Sequence, residues 1–296
     1  MKLDHCVLPS ANLAIARELL TRLGFTVAPD AAHPFGITSC RVFFEDGSYL
    51  ESVVLADKNA TRRASAAGNV FVQRDRRFRD AGGDEGFSAL AFGTDDAALD
   101  HIRFVDGEMS AGDPLSFSRP FPDSSGNKTE ASFKLAFAAP EDSPSFFFTC
   151  ERVKTPAVDC STLCQHANHV SGILRILVTA SEPRAAGTFL SQFLQTGSGG
   201  GVWPLDNVVL SLLTDAKQVY NMDPDSDGNL RLRGIVSVRP PSRRSLSAWS
   251  LRRLPIPCIE ADLSCLLHRD RGAYFFFEEP PKSSVAEAIL EAVLRC

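Results

Sequence analysis

The order strand, helix, strand, strand, strand recurs along this chain, and that recurrence constrains the fold more than any single motif. Leu3 to Leu8 alternates as a short strand, and Ala11 to Leu23 carries Leu13, Ala16, Leu19, Leu20 and Leu23 at helical spacing. Gly24 stands where a helix closes. Phe25 to Val27 resumes a strand, Ile37 to Phe44 forms the next, Asp46-Gly47 turns the chain, and Tyr49 to Leu55 completes the unit. The same order restarts at Phe87, Ile173 and Leu230. A shift of 170 residues lays Ala16 on Ala186, Leu19 on Phe189, Leu20 on Leu190 and Leu23 on Phe193. A repeated supersecondary unit stacks or pairs with its copies. The expected class is therefore α+β, with four βαβββ modules paired two by two into domains over 1–157 and 170–296. The stretch Thr155 to Asn168 is the crossover. Helices are expected at Asp95 to Phe104, Glu182 to Leu194, Ser242 to Leu254 and Ser284 to Leu294, and an exposed loop at the charged stretch Arg74 to Asp84.

Composition narrows the function. A net charge of −5 argues against a nucleic-acid binder that relies on a basic surface. No uncharged apolar run reaches the roughly 18 residues that span a bilayer, so no membrane partner is expected. The opening MKLDHCVLP places an acid and a His where a secretory signal carries its apolar core, which reads as cytoplasmic. The 8 cysteines sit mostly in apolar strand-like runs, where a thiol acts as a small hydrophobe.

Particular motifs carry a family resemblance. Leu3-Asp4-His5-Cys6-Val7, the helix end Arg22-Leu23-Gly24-Phe25, His33-Pro34-Phe35-Gly36-Ile37-Thr38 and Asp46-Gly47-Ser48-Tyr49-Leu50-Glu51 resemble the glyoxalase-like branch of the vicinal oxygen chelate superfamily. Phe146 to Glu151, Thr155-Pro156 and Gln165-His166-Ala167-Asn168 are similar to its crossover. The resemblance runs to about Ala180 and implies that each pair of modules forms a cup, with helices on the outer face.

His5 and Glu51 are the main candidates for chemistry. Alternation puts Leu3, His5 and Val7 on one face of the first strand, and Tyr49, Glu51 and Val53 on one face of the fourth. The resemblance implies that His5 and Glu51 point into the cup as metal ligands. One imidazole and one carboxylate suit Fe²⁺, Mn²⁺, Ni²⁺ or Zn²⁺. A third protein ligand is needed in most catalytic sites. The second module has Ala89 at the His5 position, which leaves Glu151 as its candidate, while a two-histidine iron site would need His166 or His169 folded back. Two classes follow. In one, a divalent metal acts as Lewis acid on a small substrate with neighbouring oxygens, and Glu51 or Glu151 moves a proton, in lyase, isomerase or oxygenase chemistry. In the other, the cup is a metal-free, drug-sequestering binding site lined from the 21 Phe. Either suits a monomer or homodimer with a small-molecule partner.

The remaining motifs point to structure. Cys160, Cys164, His166 and His169 offer zinc-ligand types at a spacing that fits no common zinc module. Asp223-x-Asp225-x-Asp227-Gly228 lacks the closing Glu of a calcium loop and reads as a polar turn. The five Arg between Arg239 and Arg253 read as a solvated helix face. Arg175 takes the His5 position in the third module and Val236 in the fourth, so the C-terminal cup is expected to be metal-free.

Overall fold

Alternating burial along each strand sets the architecture. A computed structural model describes residues 1–122, 128–155, 160–214, 230–238, 263–268 and 273–278. Its first sheet contains β1 (Leu3–Pro9), β2 (Ala31–Ala32), β3 (Ile37–Phe43), β4 (Tyr49–Leu55), β5 (Ala89–Thr94), β6 (Leu115–Pro122), β7 (Lys128–Ala138) and β8 (Phe146–Lys154), in the order β2-β3-β4-β1-β5-β8-β7-β6. β1 runs parallel to β4 and antiparallel to β5, and β5 runs parallel to β8. The two halves of the sheet thus repeat one pattern in opposite order about the β1–β5 seam. The second sheet contains β9 (Gly172–Thr179), β10 (Val202–Pro204), β11 (Val209–Leu213), β12 (Arg231–Val238), β13 (Leu263–His268) and β14 (Ala273–Glu278), in the order β10-β11-β9-β12-β14-β13. The class is α+β with strongly curved sheets.

Five helices are described: α1 (Leu13–Arg22), α2 (Lys58–Ala66), α3 (Val70–Gly82), α4 (Ala97–Asp106) and α5 (Pro183–Leu194). Asn12 caps α1 by accepting from the backbone N–H groups of Ala14 and Ile15. α3 corrects an expectation, because Arg74 to Asp84 is not an exposed loop. Asn69 caps this helix, and Val70, Phe71, Arg74 and Phe78 are buried at helical spacing. Charge hid the pattern. Arg74 and Asp75 are themselves buried, Arg74 donating to Ser143 O and Asp75 accepting from Arg79. The expected helices Ser242 to Leu254 and Ser284 to Leu294, the Asp223 to Gly228 turn and the Arg239 to Arg253 run lie outside the described residues. Among the described residues no helix is long and apolar enough to cross a membrane.

The outer face of the first sheet does not stop at its own helices. Cys6, Val42, Phe92 and Phe147 pack with Leu20 of α1 and Phe104 of α4, and also with Phe189 and Phe193 of α5 and Ile176 and Leu210 of the second sheet. Phe193 is central, 5.4 Å from the ring centroids of Phe92, Phe104 and Phe147. The crossover is fastened by hydrogen bonds. His166 Nδ1 accepts from Thr26 N at 3.0 Å and its Nε2–H donates to Phe43 O at 2.9 Å, which fixes a neutral ring. Asn168 donates to Leu23 O at 2.8 Å. Gly24 is required beside it: its φ is +87°, and a Cβ there would sit 2.8 Å from Asn168 Cβ.

Truncation of Phe193 tests the shared core. Phe193→Ala is expected to cost about 3–5 kcal/mol, read as a lower midpoint in urea. A loss below about 1 kcal/mol would show that the two sheets do not depend on this contact.

Candidate functional site

The inner face of the first sheet forms the cup. Val7, Ile37, Val53, Ala89, Ala91, Leu135, Phe137, Phe146 and Phe148 line it, and α3 plugs one part with Val70 and Phe71. The sheet curves until its edges approach one another. Phe117 of β6 lies 5.9 Å from His33 and 5.5 Å from Phe35, which flank β2 and β3 at the opposite edge.

A β-bulge in β1 selects the polar residues of the cup. Leu3 pairs with Phe92 and His5 with Ala91, so Asp4 is the extra residue. Leu3 consequently joins the outer core, not the face of His5 and Val7 as strict alternation implied. Asp4 and His5 work as a unit. His5 Nδ1 donates to Asp4 Oδ1 at 2.6 Å, and Arg152 grips the same carboxylate through Nε at 3.0 Å and Nη2 at 2.7 Å. Burial opposes ionisation of Asp4, but His5 and Arg152 outweigh it and hold the carboxyl below its ordinary range. With Nδ1 so engaged, His5 presents Nε2 to Glu51, 3.8 Å from Oε2.

Glu51 is the hub. It is 6% exposed, accepts from Ser39 Oγ at 2.8 Å, and has His33 Nε2 3.4 Å from Oε1. Burial would neutralise this carboxyl. The hydrogen bond and charge of His33, with His5 and Arg41, instead hold it well below the usual carboxylate range. Aromatic rings fix both histidines: His5 stacks on Tyr49 at 4.4 Å and meets the Phe148 edge at 5.4 Å, while His33 stacks on Phe35 at 5.2 Å. Burial, together with the charges of Asp4 and Glu51, raises the Tyr49 phenol well above 10, so it keeps its proton.

The structure thus brings His5 and Glu51 together and adds His33, which strand alternation could not find because it precedes β3 in a loop. Glu151 is placed elsewhere. Phe146, Phe148 and Cys150 belong to the cup cluster, so Glu151 projects from the other face of β8. There it accepts from Ala97 N at 3.1 Å at the start of α4 and from Lys134 Nζ at 3.2 Å. As a catalytic group or metal ligand beside His5 and Glu51 it is therefore corrected to a helix-terminus partner, where a carboxylate complements the helix dipole. In the second half of the sheet, register places Ala89 and Phe148 where the first half has His5 and Glu51. His166 is committed to the backbone, and Cys164 donates to Phe44 O at 3.5 Å. Arg175 donates to Ser211 Oγ at 3.1 Å on the neighbouring strand.

Two imidazoles and one carboxylate are the right donors for a first-row divalent ion. The Asp4–His5 bond supplies the outer carboxylate that commonly orients a ligating histidine. The Nε2-to-oxygen separations of 3.4 and 3.8 Å are close to the roughly 3.3 Å between ligands on a tetrahedral ion with bonds of about 2.0 Å. Even so, among the described residues no three His, Cys, Asp or Glu side chains are gathered as a formed metal site. The donor set fits an ion; as it stands, Glu51 is held by Ser39 and His33, while His33 Nδ1 is buried without a hydrogen-bond partner. A groove of about 650 Å³ between α2 and α3, lined by Lys58, Arg62 and Asp84 among others, shares none of these residues. Chemistry, not volume, marks the cup as the site.

The sequence matches the Glyoxalase-like domain family over residues 3–194. The chain belongs to that family. Its fold is also that of a hypothetical protein from Staphylococcus aureus, at 11% identity and a TM-score of 0.60, over 94% of this chain and 99% of that one. A 4-hydroxymandelate synthase mutant from Streptomyces coelicolor is similar at 11% identity and a TM-score of 0.49, over 81% of this chain and 71% of that one. No curated protein matches the sequence.

The Asp4–Arg152 bond in this glyoxalase-like cup can be tested directly. Asp4→Asn should lower stability by about 1.5–3 kcal/mol, because a charge-assisted pair is lost and His5 is released. A double-mutant cycle with Arg152→Ala should return a coupling above about 0.5 kcal/mol; additive effects would show that the pair is not coupled.

Proposed function

We propose that this protein is a divalent-metal-dependent enzyme of the glyoxalase-like type, acting on a small molecule that presents two neighbouring oxygens. The observation that carries this reading is the approach of two imidazole Nε2 atoms, from His5 and His33, to the two oxygens of one buried carboxylate, Glu51. These three residues would hold the ion, and the ion when bound supplies Lewis-acid stabilisation of charge developing on substrate oxygen.

The chain's own residues set the conditions for that chemistry. Asp4 fixes the ring orientation of His5, and Ser39 restrains Glu51 at Oε1. Phe35, Phe117, Phe133 and Phe148 surround the cluster with apolar surface, which excludes water and strengthens each charge inside. Tyr49, held protonated and stacked against His5, is the nearby neutral donor. A second reading is supported by the hold that Ser39 and His33 already have on Glu51: a metal-free cup that binds an aromatic or apolar small molecule against its Phe walls.

Metal analysis separates the two. Protein purified without affinity tag or chelator is expected to carry about one divalent ion per chain. Titration of metal-free protein with Fe²⁺, Mn²⁺, Ni²⁺ or Zn²⁺ should show saturable binding of at least one of them. His33→Ala and Glu51→Gln should each weaken it by about tenfold or more while the far-ultraviolet dichroism is unchanged. Failure of all four ions to bind would leave the metal-free reading in place.

A further inference from the structure

The three residues of the cluster stand behind walls that any ligand must pass. His5 and Glu51 are buried, and His33 keeps the largest exposure of the three, 12% of its side chain. Phe117 of β6 covers that side, with its ring centroid 5.9 Å from His33 and 5.5 Å from Phe35. Binding in the cup therefore requires one wall to move, and the walls differ in what holds them. β4, β1, β5 and β8 form the floor and are joined strand to strand by hydrogen-bonded ladders. α3 is bolted down. Arg79 donates to Ser10 O at 3.2 Å, to Val53 O at 3.1 Å and to Asp75 at 2.8 Å, and Arg74 donates to Ser143 O at 2.9 Å. Each of these is a charge-assisted bond that would be lost if the helix lifted.

The seam between β2 and β6 has no backbone pairing. These strands end the order of the sheet, and among the described residues no ladder joins them. The ribbon that carries Phe117 is also weakly rooted. Phe117 pairs with Phe133 of β7, and their rings stack at 5.2 Å. At Phe133 the β7–β8 ladder slips: Ser132 pairs with Lys154 and Phe133 with Arg152, so Val153 is an extra residue. Beyond Ser132, the pairs Arg119–Ala131 and Pro120–Glu130 continue between β6 and β7 without β8. A ribbon of two strands holds its shape weakly, and a bulge is where a strand bends. Phe117 thus sits where the ribbon leaves the sheet, and the contacts it makes with His33 and Phe35 are ring packing, which separates at less cost than the bonds that fasten α3.

We propose that the β2–β6 seam is the entrance to the cup and that Phe117 is its latch, so that a ligand reaches His33, Glu51 and His5 only when the ring of Phe117 swings away from His33 and Phe35. The proposal rests on the reading of this cluster as the site, but its test needs neither metal nor substrate. Diethyl pyrocarbonate, a small reagent that acylates imidazole, would be applied to the full chain in chelator, and the labelling rate of each histidine read by peptide mass spectrometry. A group shielded by a local opening reacts in proportion to the open population. His33 is expected to label more slowly than His169, which is exposed. Phe117→Ala should raise the His33 rate relative to His169 by about tenfold or more, with the far-ultraviolet dichroism unchanged. Phe71→Ala, on the α3 wall, should raise it less. Phe117→Leu, which keeps an apolar side chain but no ring, supplies the same comparison should the alanine variant fail to fold. A His33 rate unchanged in the folded Phe117 variant, or a greater rise in Phe71→Ala, would overturn the latch. Faster labelling in a protein that binds none of the four ions would retain the entrance and reject the metal reading; metal binding with no effect of Phe117 would do the reverse.

Discussion

The extra residue in β1 decides which side chains can meet. β1 is hydrogen-bonded to β4 on one side and β5 on the other, so any change in its register is felt by both halves of the sheet. Inserting Asp4 there sends Leu3 outward and leaves two consecutive polar residues available to the cup. Without that insertion Asp4 would face the apolar outer core, where an ionised carboxylate has no partner. With it, Asp4 satisfies Arg152 and His5 together, and His5 is aimed at Glu51 across the neighbouring strand. The polar cluster is a consequence of one backbone irregularity in an otherwise apolar sheet.

Much of this was legible in the sequence because period and burial agree. The helical spacing of α1 and α5 and the strands β1, β3 and β4 follow from apolar residues recurring at 3.6 or 2 positions, whereas the cup-facing of His5 and Glu51 was implied by the family resemblance and the strand expected at Phe25 to Val27 lies instead at Ala31–Ala32. Legibility failed where polar residues do structural work. α3 was hidden because buried Arg74 and Asp75 interrupt its apolar stripe. His33 was hidden because a loop residue has no period to count, although the His33-Pro34-Phe35 motif flagged the segment. Glu151 was misplaced because β8 is apolar on both faces, Phe146 and Phe148 inward and Phe147 outward, so alternation alone could not say which face was the cup. Only the pairing of β8 with β5 settles that question.

The two sheets also share a core through faces that each could have covered with its own helices. Aromatic contacts between α5 and the first sheet join residues far apart in sequence, and the His166 and Asn168 bonds hold the crossover against the C-terminal end of α1. The rigid outer face leaves the inner face of the first sheet free to carry costly groups. Buried charged groups such as Asp4 and Glu51 are sustained there by their own partners and by apolar packing around them.

The placement of Ala89 and Phe148 where the first half has His5 and Glu51 has a physical consequence. Ala89 and Phe148 belong to a cluster that includes Phe71, Phe137 and Phe146. A carboxylate introduced at 148 would enter an apolar wall with no imidazole at 89 to receive it, and an imidazole introduced at 89 would have no acid to face. A polar pair is therefore harder to place in this half of the sheet than in the half where Ser39, Asp4 and Arg152 already partner the charges.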